Sequence, residues 1–299
     1  MLIWLPLVLC VSQKLLAELT RYMRFAEVAG CVGSGSRGQK LPGITRPFQC
    51  PLCDLPVFGS AELLGTFSSA YFEKQPTGYI AVDTYHGELL VVFRGTTSFG
   101  DKIADFSIFK KRVCEVEALQ EHLDMIDDNA QIFGGVVDVF NGGFEPLIWQ
   151  IKRALMKYPG YRLVVLGHSL GGAIATLCAV TLKLRGFNPY LITFAEHLTG
   201  NWEWAQTVNW LFPGKTSYRV TRVGDIVPRL PPTELGYYPR GSEYYISSYE
   251  MPLHHEELFY CDESNHCSQR APLWSYLLNY QETQKSHFNY FFELRKCTA

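Results

Sequence analysis

The sequence has little charge and no strong excess of either sign. Charged residues make up 19% of the 299 positions, and the formal net charge is −2. Binding to a phosphate backbone requires a basic surface, so this composition argues against a nucleic-acid-binding protein. A net charge this small is also too weak to steer a strongly charged substrate toward a site.

The sequence also contains no internal repeat, no low-complexity stretch and no Asn-x-Ser/Thr acceptor for N-glycosylation. No apolar segment approaches the roughly 20 residues that a transmembrane helix requires. With 47% hydrophobic residues, the chain has enough apolar side chains to fill the core of one large α/β domain.

The first residues are typical of a secretion signal. Residues 2–11 are almost entirely apolar, and the small residues Ser12 and Ala17 follow where a signal peptidase cleaves. We therefore expect a signal peptide over residues 1–17, with cleavage near positions 12 to 17, and a single domain over residues 18–299. The apolar run lacks a preceding Lys or Arg, so a buried N-terminal helix is the alternative.

The most informative motif is Gly-His-Ser-Leu-Gly at residues 167–171. An apolar run over residues 161–166 precedes it, and a helix-period run over residues 173–184 follows it directly. This is the strand–turn–helix setting of a nucleophile elbow, in which glycines on both sides allow a turn too sharp for side chains. The pattern predicts Ser169 as an exposed nucleophile; a plain glycine-rich turn between strand and helix is the alternative.

Apolar periodicity elsewhere predicts strands and helices in alternation. The predicted strands are Gly78–Asp83, Glu88–Arg94, Tyr190–Phe194, Ser217–Val223 and Glu243–Ser247, and the predicted helices outside the elbow are Leu15–Ala29 and Glu145–Lys157. Interleaved elements of this kind favour a central sheet flanked by helices.

A serine nucleophile requires a base, and the base requires an acid that orients it. In folds with a nucleophile elbow these follow in the order Ser, Asp, His. Asp225 comes directly after the strand that ends near Val223, and Pro228 then redirects the chain. We expect Asp225 to be the acid, against the alternative of a turn-forming Asp–Gly pair. The other acidic candidates are Glu243, Asp262 and Glu263.

Four histidines follow Asp225 in the chain: His254, His255, His266 and His287. The residues alone leave the choice of base open among these four. They favour His287, because His254 and His255 lie in a polar stretch that is typical of a solvated loop. His168 flanks the nucleophile within the elbow, and we expect it to have a structural role.

The nine cysteines leave two interpretations open. The pairs placed to form disulfides are Cys31 with Cys297, Cys50 with Cys53, and Cys261 with Cys267. The alternative is a zinc site that combines Cys50 and Cys53 with ligands from the second region, where His266 also lies. Cys178 falls inside the helix after the elbow and is expected to be a buried free thiol. Cys114 has no evident partner.

Five stretches together resemble the fungal class 3 lipases, most closely the secreted yeast triacylglycerol lipases. They lie in the family's order at residues 31–33, 92–96, 167–172, 222–228 and 286–291. The resemblance implies an α/β-hydrolase fold with a short helical lid and no metal or organic cofactor. It also implies Ser169 as nucleophile, Asp225 as acid and His287 as base, and it suggests the three disulfides named above.

Acyl transfer further requires an oxyanion hole. The backbone N–H of Leu170, directly after the nucleophile, is one expected donor, and the resemblance implies Thr96 as the second. After Thr96, Phe99, Ile103 and Phe106 recur at helical spacing on one face. The resemblance implies that this segment is a lid whose apolar face meets lipid when it opens; an ordinary surface helix is the alternative.

Three short stretches depart from the family pattern. Lys102 stands where the lid usually carries Trp, residues 141–144 lack the usual His, and residues 195–197 read Ala-Glu-His where the family has Gly-x-Pro. These changes lie at the expected lid hinge and substrate walls, not among the three expected catalytic residues. We therefore expect them to affect the length of the acyl chain that the protein prefers.

We therefore predict a secreted, monomeric triacylglycerol lipase that acts on ester substrate at an oil–water interface and contacts lipid surfaces transiently. A phospholipase A1, a feruloyl-type esterase and an acyltransferase would share the same machinery and are the alternatives among enzymes. A catalytically weak lipase-like binding protein is the alternative from another class.

Overall fold

A computed structural model describes residues 9–32, 46–47, 50, 52–67, 76–95, 109–264, 266–278 and 280–294. Several predicted features lie outside these ranges: the first eight residues of the expected signal peptide, Thr96, the three lid residues and Cys297.

The described residues form one large sheet and a small two-stranded one. The strands are β1 (Leu9–Cys10), β2 (Arg46–Pro47), β3 (Ala61–Phe67), β4 (Gly78–Asp83), β5 (Glu88–Phe93), β6 (Lys110–Arg112), β7 (Gln131–Phe133), β8 (Arg162–His168), β9 (Tyr190–Phe194), β10 (Ser217–Arg222), β11 (Glu243–Ile246) and β12 (Leu258–Cys261). The large sheet has the order β1-β12-β11-β10-β9-β8-β5-β4-β3-β2, and β6 pairs with β7.

The centre of the large sheet is parallel. Strands β5, β8, β9, β10 and β11 pair in parallel, whereas the strands on either side of them pair antiparallel. All six residues of β5 are buried, as are six of the seven in β8. Continuous burial is expected for parallel strands covered on both faces, and it explains why these runs are apolar without alternation.

Helices cover both faces of this sheet. They are α1 (Gln13–Val32), α2 (Gly134–Asn141), α3 (Phe144–Lys157), α4 (Leu170–Leu184), α5 (Trp202–Leu211), α6 (Leu273–Leu278) and α7 (Tyr280–Phe288). The buried side chains of α2 to α5 belong to one hydrophobic cluster, and those of α1 belong to a second. The predicted central sheet with helices on its faces is therefore confirmed.

The predicted elements agree closely with the observed ones at the centre of the sheet. The strands Gly78–Asp83 and Tyr190–Phe194 have the predicted bounds, and the helix predicted over residues 145–157 begins one residue earlier. Sequence periodicity missed β3, β12 and α5. Strands β3 and β12 lie toward the edges of the sheet, where partly exposed residues interrupt the buried ones and weaken the apolar pattern.

Two of the expected disulfides are present. Cys50 is bonded to Cys53, and Cys261 is bonded to Cys267. Their sulfurs are therefore not available as thiolate ligands, which removes the basis of the zinc interpretation. Cys31 also belongs to a disulfide, and its expected partner Cys297 lies outside the described residues.

Cys178 is a buried free thiol, as predicted, and burial raises its pKa well above the ordinary range of a cysteine. Cys114 is free and exposed.

Part of the segment assigned to a signal peptide contacts the domain. Residues Leu9–Cys10 pair antiparallel with Phe259 and Tyr260 at the edge of the sheet, and α1 begins at Gln13. None of the helices among the described residues combines the length and the apolar character needed to cross a membrane.

Candidate active site

The nucleophile elbow has the geometry that its sequence predicts. Strand β8 ends at His168, helix α4 begins at Leu170, and Ser169 alone makes the turn with φ 58° and ψ −129°. A residue other than glycine is rarely found at positive φ, and the strain is retained only where the surroundings enforce it. Here the Ser169 N–H donates to the Phe194 carbonyl at 2.9 Å, which fixes the turn against β9.

The flanking glycines are required by close backbone contacts. A Cβ atom on Gly167 would lie 2.3 Å from the Gly171 carbonyl oxygen, and one on Gly171 would lie 2.4 Å from the Phe93 carbonyl oxygen. Gly95, just past β5, is similarly restricted, since a Cβ there would lie 2.7 Å from the His168 carbonyl oxygen. The side-chain clash inferred from the motif is therefore a property of the fold.

Asp225 lies on a tight turn at the carboxyl end of β10. Its Oδ1 accepts a hydrogen bond from the Val227 backbone N–H at 2.9 Å, and its Oδ2 accepts one from the Tyr290 hydroxyl at 2.7 Å. Gly224 before it has φ 81°, a conformation that favours glycine. The side chain of Asp225 is fully buried and its carboxylate orientation is fixed by these two donors.

His287 lies in the last turn of α7 and bridges the other two residues. Its Nδ1 is 3.0 Å from Asp225 Oδ2, and its Nε2 is 3.1 Å from Ser169 Oγ. A carboxylate can only accept a hydrogen bond, so Nδ1 carries the proton and Nε2 is the acceptor for the serine hydroxyl. The sequence suggested only a short segment at His287, whereas the structure places it within a helix.

All three residues are buried, with Ser169 6%, Asp225 0% and His287 1% exposed. The prediction that Ser169 is exposed is therefore wrong for this structure, in which its hydroxyl is in contact with the buried His287 imidazole. A hydroxyl, an imidazole and a carboxylate in this order can transfer the serine proton to the imidazole while the carboxylate stabilises the charged ring. The arrangement is therefore suited to nucleophilic attack on an acyl carbon.

His168 has the structural position expected of it. Its Nε2 lies 3.0 Å from the His287 carbonyl oxygen, and the two imidazole rings are 4.7 Å apart. Burial, together with the neighbouring His287, lowers the pKa of His168 well below its ordinary value. A neutral His168 donates to this carbonyl and supports the backbone at His287.

Of the two expected oxyanion donors, the structure describes Leu170. It is the first residue of α4, and an N–H in the first turn of a helix has no acceptor within that helix. The helix dipole adds positive potential at the same point. Thr96, Phe99, Ile103 and Phe106 lie outside the described residues.

The alternative acids and bases have other contacts. Glu243 is buried in an ion pair with Arg219, and Asp262 accepts from the Ser264 N–H and hydroxyl. His254 begins the short turn His255–Glu257.

Sequence reasoning missed two buried groups near the site. One is the hydroxyl of Tyr290, which lies within residues 286–291 and whose contact with Asp225 no sequence pattern indicates. The other is the ion pair between Glu196 and Arg240, which lies next to the elbow: a Cβ on Gly172 would approach the Glu196 Cβ to 3.2 Å. A buried Arg could not be anticipated, since arginine is rarely buried unless it is paired.

Residues 90–235 match the family model described as lipase (class 3). The match covers 146 of the 299 residues and supports a lipase of the class 3 type. The lipase is 28% identical to the secreted mono- and diacylglycerol lipase 2 of Gibberella zeae, with 85% of this chain and 68% of that protein covered. It is 27% identical to lipase A of Sodiomyces alcalophilus, covering 87% of this chain and 70% of the relative.

The fold of this lipase is likewise shared with a solved structure. The crystal structure of the Lip2 lipase from Yarrowia lipolytica superposes with a TM-score of 0.83 at 27% identity, with 98% of each chain covered. The resemblance to fungal class 3 lipases and the α/β-hydrolase fold are therefore confirmed, and the chain is a carboxylic-ester hydrolase.

Proposed function

We propose that this lipase is a secreted triacylglycerol lipase in which Ser169, His287 and Asp225 form the catalytic triad. The observation that carries the proposal is the continuous chain of contacts from Ser169 Oγ to His287 Nε2 and from His287 Nδ1 to Asp225. The order Ser, Asp, His along the sequence agrees with that of α/β-hydrolases.

In the proposed mechanism, His287 Nε2 accepts the proton of Ser169 as its Oγ attacks the ester carbonyl carbon. The charged imidazole is stabilised by Asp225, which also keeps the ring in the required tautomer. The imidazole then protonates the departing glycerol oxygen, leaving an acyl group on Ser169. Attack by water, activated by the same imidazole, releases the fatty acid and restores the serine hydroxyl.

The negative charge on the carbonyl oxygen is stabilised by the N–H groups of Leu170 and Thr96 in this proposal. The position of Leu170 at the start of α4 supports its assignment. The assignment of Thr96 rests on the sequence resemblance. One such donor typically contributes about 3–4 kcal/mol to transition-state stabilisation.

Lid control and secretion belong to the same proposal. The burial of Ser169, a residue that is only 6% exposed, supports a covered resting state. We assign the cover to the segment with Phe99, Ile103 and Phe106, on the basis of its apolar helical face. Two intact disulfides and the secreted relative support an extracellular location for a single domain released after cleavage near residues 12 to 17.

Partial glycerides are a second candidate substrate class. The relative from Gibberella zeae is named a mono- and diacylglycerol lipase, so the same machinery in a related chain is associated with these smaller esters. A phospholipase A1 or a feruloyl-type esterase on this fold would also use the triad, and only the groove differs.

The decisive experiment measures fatty-acid release from emulsified long-chain triacylglycerol, diacylglycerol and monoacylglycerol, and from a soluble short-chain ester. Rates are followed through the solubility limit of the short ester. We expect release from triacylglycerol with a rise in rate at the interface. In the Ser169→Ala variant we expect loss of this activity, whereas Ser264→Ala, which alters an exposed serine, should behave as wild type.

The possible outcomes separate the assignments. Activity on partial glycerides but not on triacylglycerol would overturn the triacylglycerol assignment and retain the triad. A rate without any rise at the interface would overturn lid control. Full activity of Ser169→Ala would overturn the triad itself.

A further inference from the structure

The turn that follows Asp225 is held in place by a set of buried hydrogen bonds. Immediately after Asp225, the residues Val227–Arg229 form a single 3-10 turn. The N–H of Val227, at the start of this turn, is the donor that holds Asp225 Oδ1. Any rotation of the turn would therefore move a hydrogen bond that orients the carboxylate.

Two side chains from different elements donate to one carbonyl oxygen of that turn. The Arg219 guanidinium donates to the Pro228 oxygen at 3.2 Å through Nη2, and the Gln269 amide donates to it at 3.2 Å through Nε2. Two donors on one carbonyl use both of its lone pairs and fix its direction.

Arg219 is in turn held by a buried carboxylate. Its Nη1 lies 3.1 Å from Glu243 Oε1, and the two residues are direct partners in the parallel pairing of β10 with β11. Glu243 also accepts from the Thr221 hydroxyl at 2.7 Å and from the Ser268 N–H at 3.0 Å. Both members of the ion pair are almost fully buried, so Arg219 has a single available geometry.

Gln269 is held by the disulfide loop. It ends the 3-10 turn Cys267–Gln269, and Cys267 is bonded to Cys261 at the end of β12. Cys261 lies opposite Glu243 in the antiparallel pairing of β11 with β12. The strand pairing and the disulfide thus bring both donors to the same carbonyl oxygen.

We propose that Arg219 and Gln269 are positioning residues for catalysis, which act by clamping the Pro228 carbonyl and thereby fixing the Asp225 carboxylate toward His287. This inference rests on the proposed function, because it assigns Asp225 as the orienting acid. Misplacement of a catalytic group by about 1 Å is enough to cost roughly 100-fold in rate. Loosening the clamp should therefore lower kcat and leave the binding of the ester unchanged.

The test measures kcat and KM for a soluble short-chain ester, together with the rate at which a fluorophosphonate reagent modifies Ser169. The first variant is Gln269→Met, which keeps the side-chain length and removes the donor. We expect kcat and the modification rate to fall together, roughly three- to tenfold, with KM within about twofold. The neighbouring exposed residue supplies the control, Arg270→Met, which should retain wild-type values.

The second variant is the double substitution Arg219→Met with Glu243→Gln. It removes both buried charges together, which proteins tolerate far better than the loss of one partner. We expect a further loss of kcat, to roughly 100-fold below wild type when it is combined with Gln269→Met. If the combined variant does not fold, Gln269→Met alone decides the question.

A reference variant, Asp225→Asn, distinguishes a failure of the proposed clamp from a failure of the proposed catalytic triad. If Asp225→Asn abolishes activity while Gln269→Met and the double variant keep kcat within about twofold of wild type, the clamp is overturned and the triad remains. If Asp225→Asn is itself fully active, the proposed role of Asp225 in the catalytic triad is overturned, and the clamp proposal is overturned with it. A drop in kcat with an equal rise in KM would also overturn the positioning role.

Discussion

The hydroxyl of Tyr290 donates to Asp225 Oδ2 at 2.7 Å, the same oxygen that lies 3.0 Å from His287 Nδ1. Both side chains of this hydrogen bond are fully buried. Burial raises the pKa of Tyr290 well above its ordinary value, and the nearby Asp225 carboxylate acts in the same direction. The phenol is therefore a permanent donor, and it stabilises the carboxylate in its charged form.

The variant Tyr290→Phe removes this donor and keeps the ring that packs against His168. A hydrogen bond to a charged group contributes about 1.5–3 kcal/mol, so we expect the free energy of unfolding to fall by that amount. Because Asp225 then has one fewer contact to orient it, we also expect kcat on a soluble ester to fall roughly tenfold. Urea unfolding and steady-state kinetics measure the two effects.

A matched control is Tyr85→Phe, since Tyr85 is 82% exposed and lies in the turn between β4 and β5. It should change neither quantity. Wild-type kcat in Tyr290→Phe would mean that Val227 and His287 alone orient the carboxylate.

The parts of this fold that the sequence could predict are those set by local chemistry. The elbow required glycines at 167 and 171, and the structure shows a carbonyl oxygen in contact with each position. The strands at the centre of the sheet are continuous apolar runs because both of their faces are covered. Asp225 was predictable because it lies three residues past the carboxyl end of β10, where the turn after a parallel strand emerges.

The remaining features depend on contacts between distant segments. His287, the proposed base, is 62 residues from Asp225 and 118 from Ser169, and its neighbours in sequence carry no periodic signal that indicates this role. Only the resemblance to a family distinguished it from the other histidines. The clamp on Pro228 likewise joins β10, β11 and a disulfide loop. These segments meet because of the register in which the strands pair, which the local sequence does not specify.

Glu196 and Arg240 form an ion pair next to the elbow, and both side chains are almost fully buried. Arg240 also donates to the hydroxyls of Thr193 and Ser217, and Glu196 accepts from Thr176. We expect Arg240→Met to lower the free energy of unfolding by about 3–5 kcal/mol, because it leaves Glu196 buried without its counter-charge. The double variant Glu196→Gln with Arg240→Met removes both charges and should lose much less.

Urea unfolding of the two single variants and the double variant gives the coupling between them. The exposed pair Lys111 and Asp138 serves as comparison, and its removal should change the free energy by under about 1 kcal/mol. Additive effects of the two buried substitutions would show that Glu196 and Arg240 do not depend on one another.

We expect His266 to make the folded protein sensitive to mild acid. Burial lowers the pKa of its imidazole to about 4, with the charge of Arg219 acting in the same direction and Glu243 and Asp262 opposing it. In the unfolded chain a histidine titrates near pH 6.5, so the unfolded state binds this proton first as the pH falls. The stability that the neutral ring provides is complete above about pH 6.5 and is lost as the pH falls toward 4, by at most about 3 kcal/mol.

We expect His266→Gln to show a smaller difference in the free energy of unfolding between pH 7 and pH 4.5 than wild type, measured by urea unfolding at each pH. The exposed His254, replaced by Gln, is the control and should keep the wild-type difference; an equal difference in all three proteins would assign the acid sensitivity to other groups.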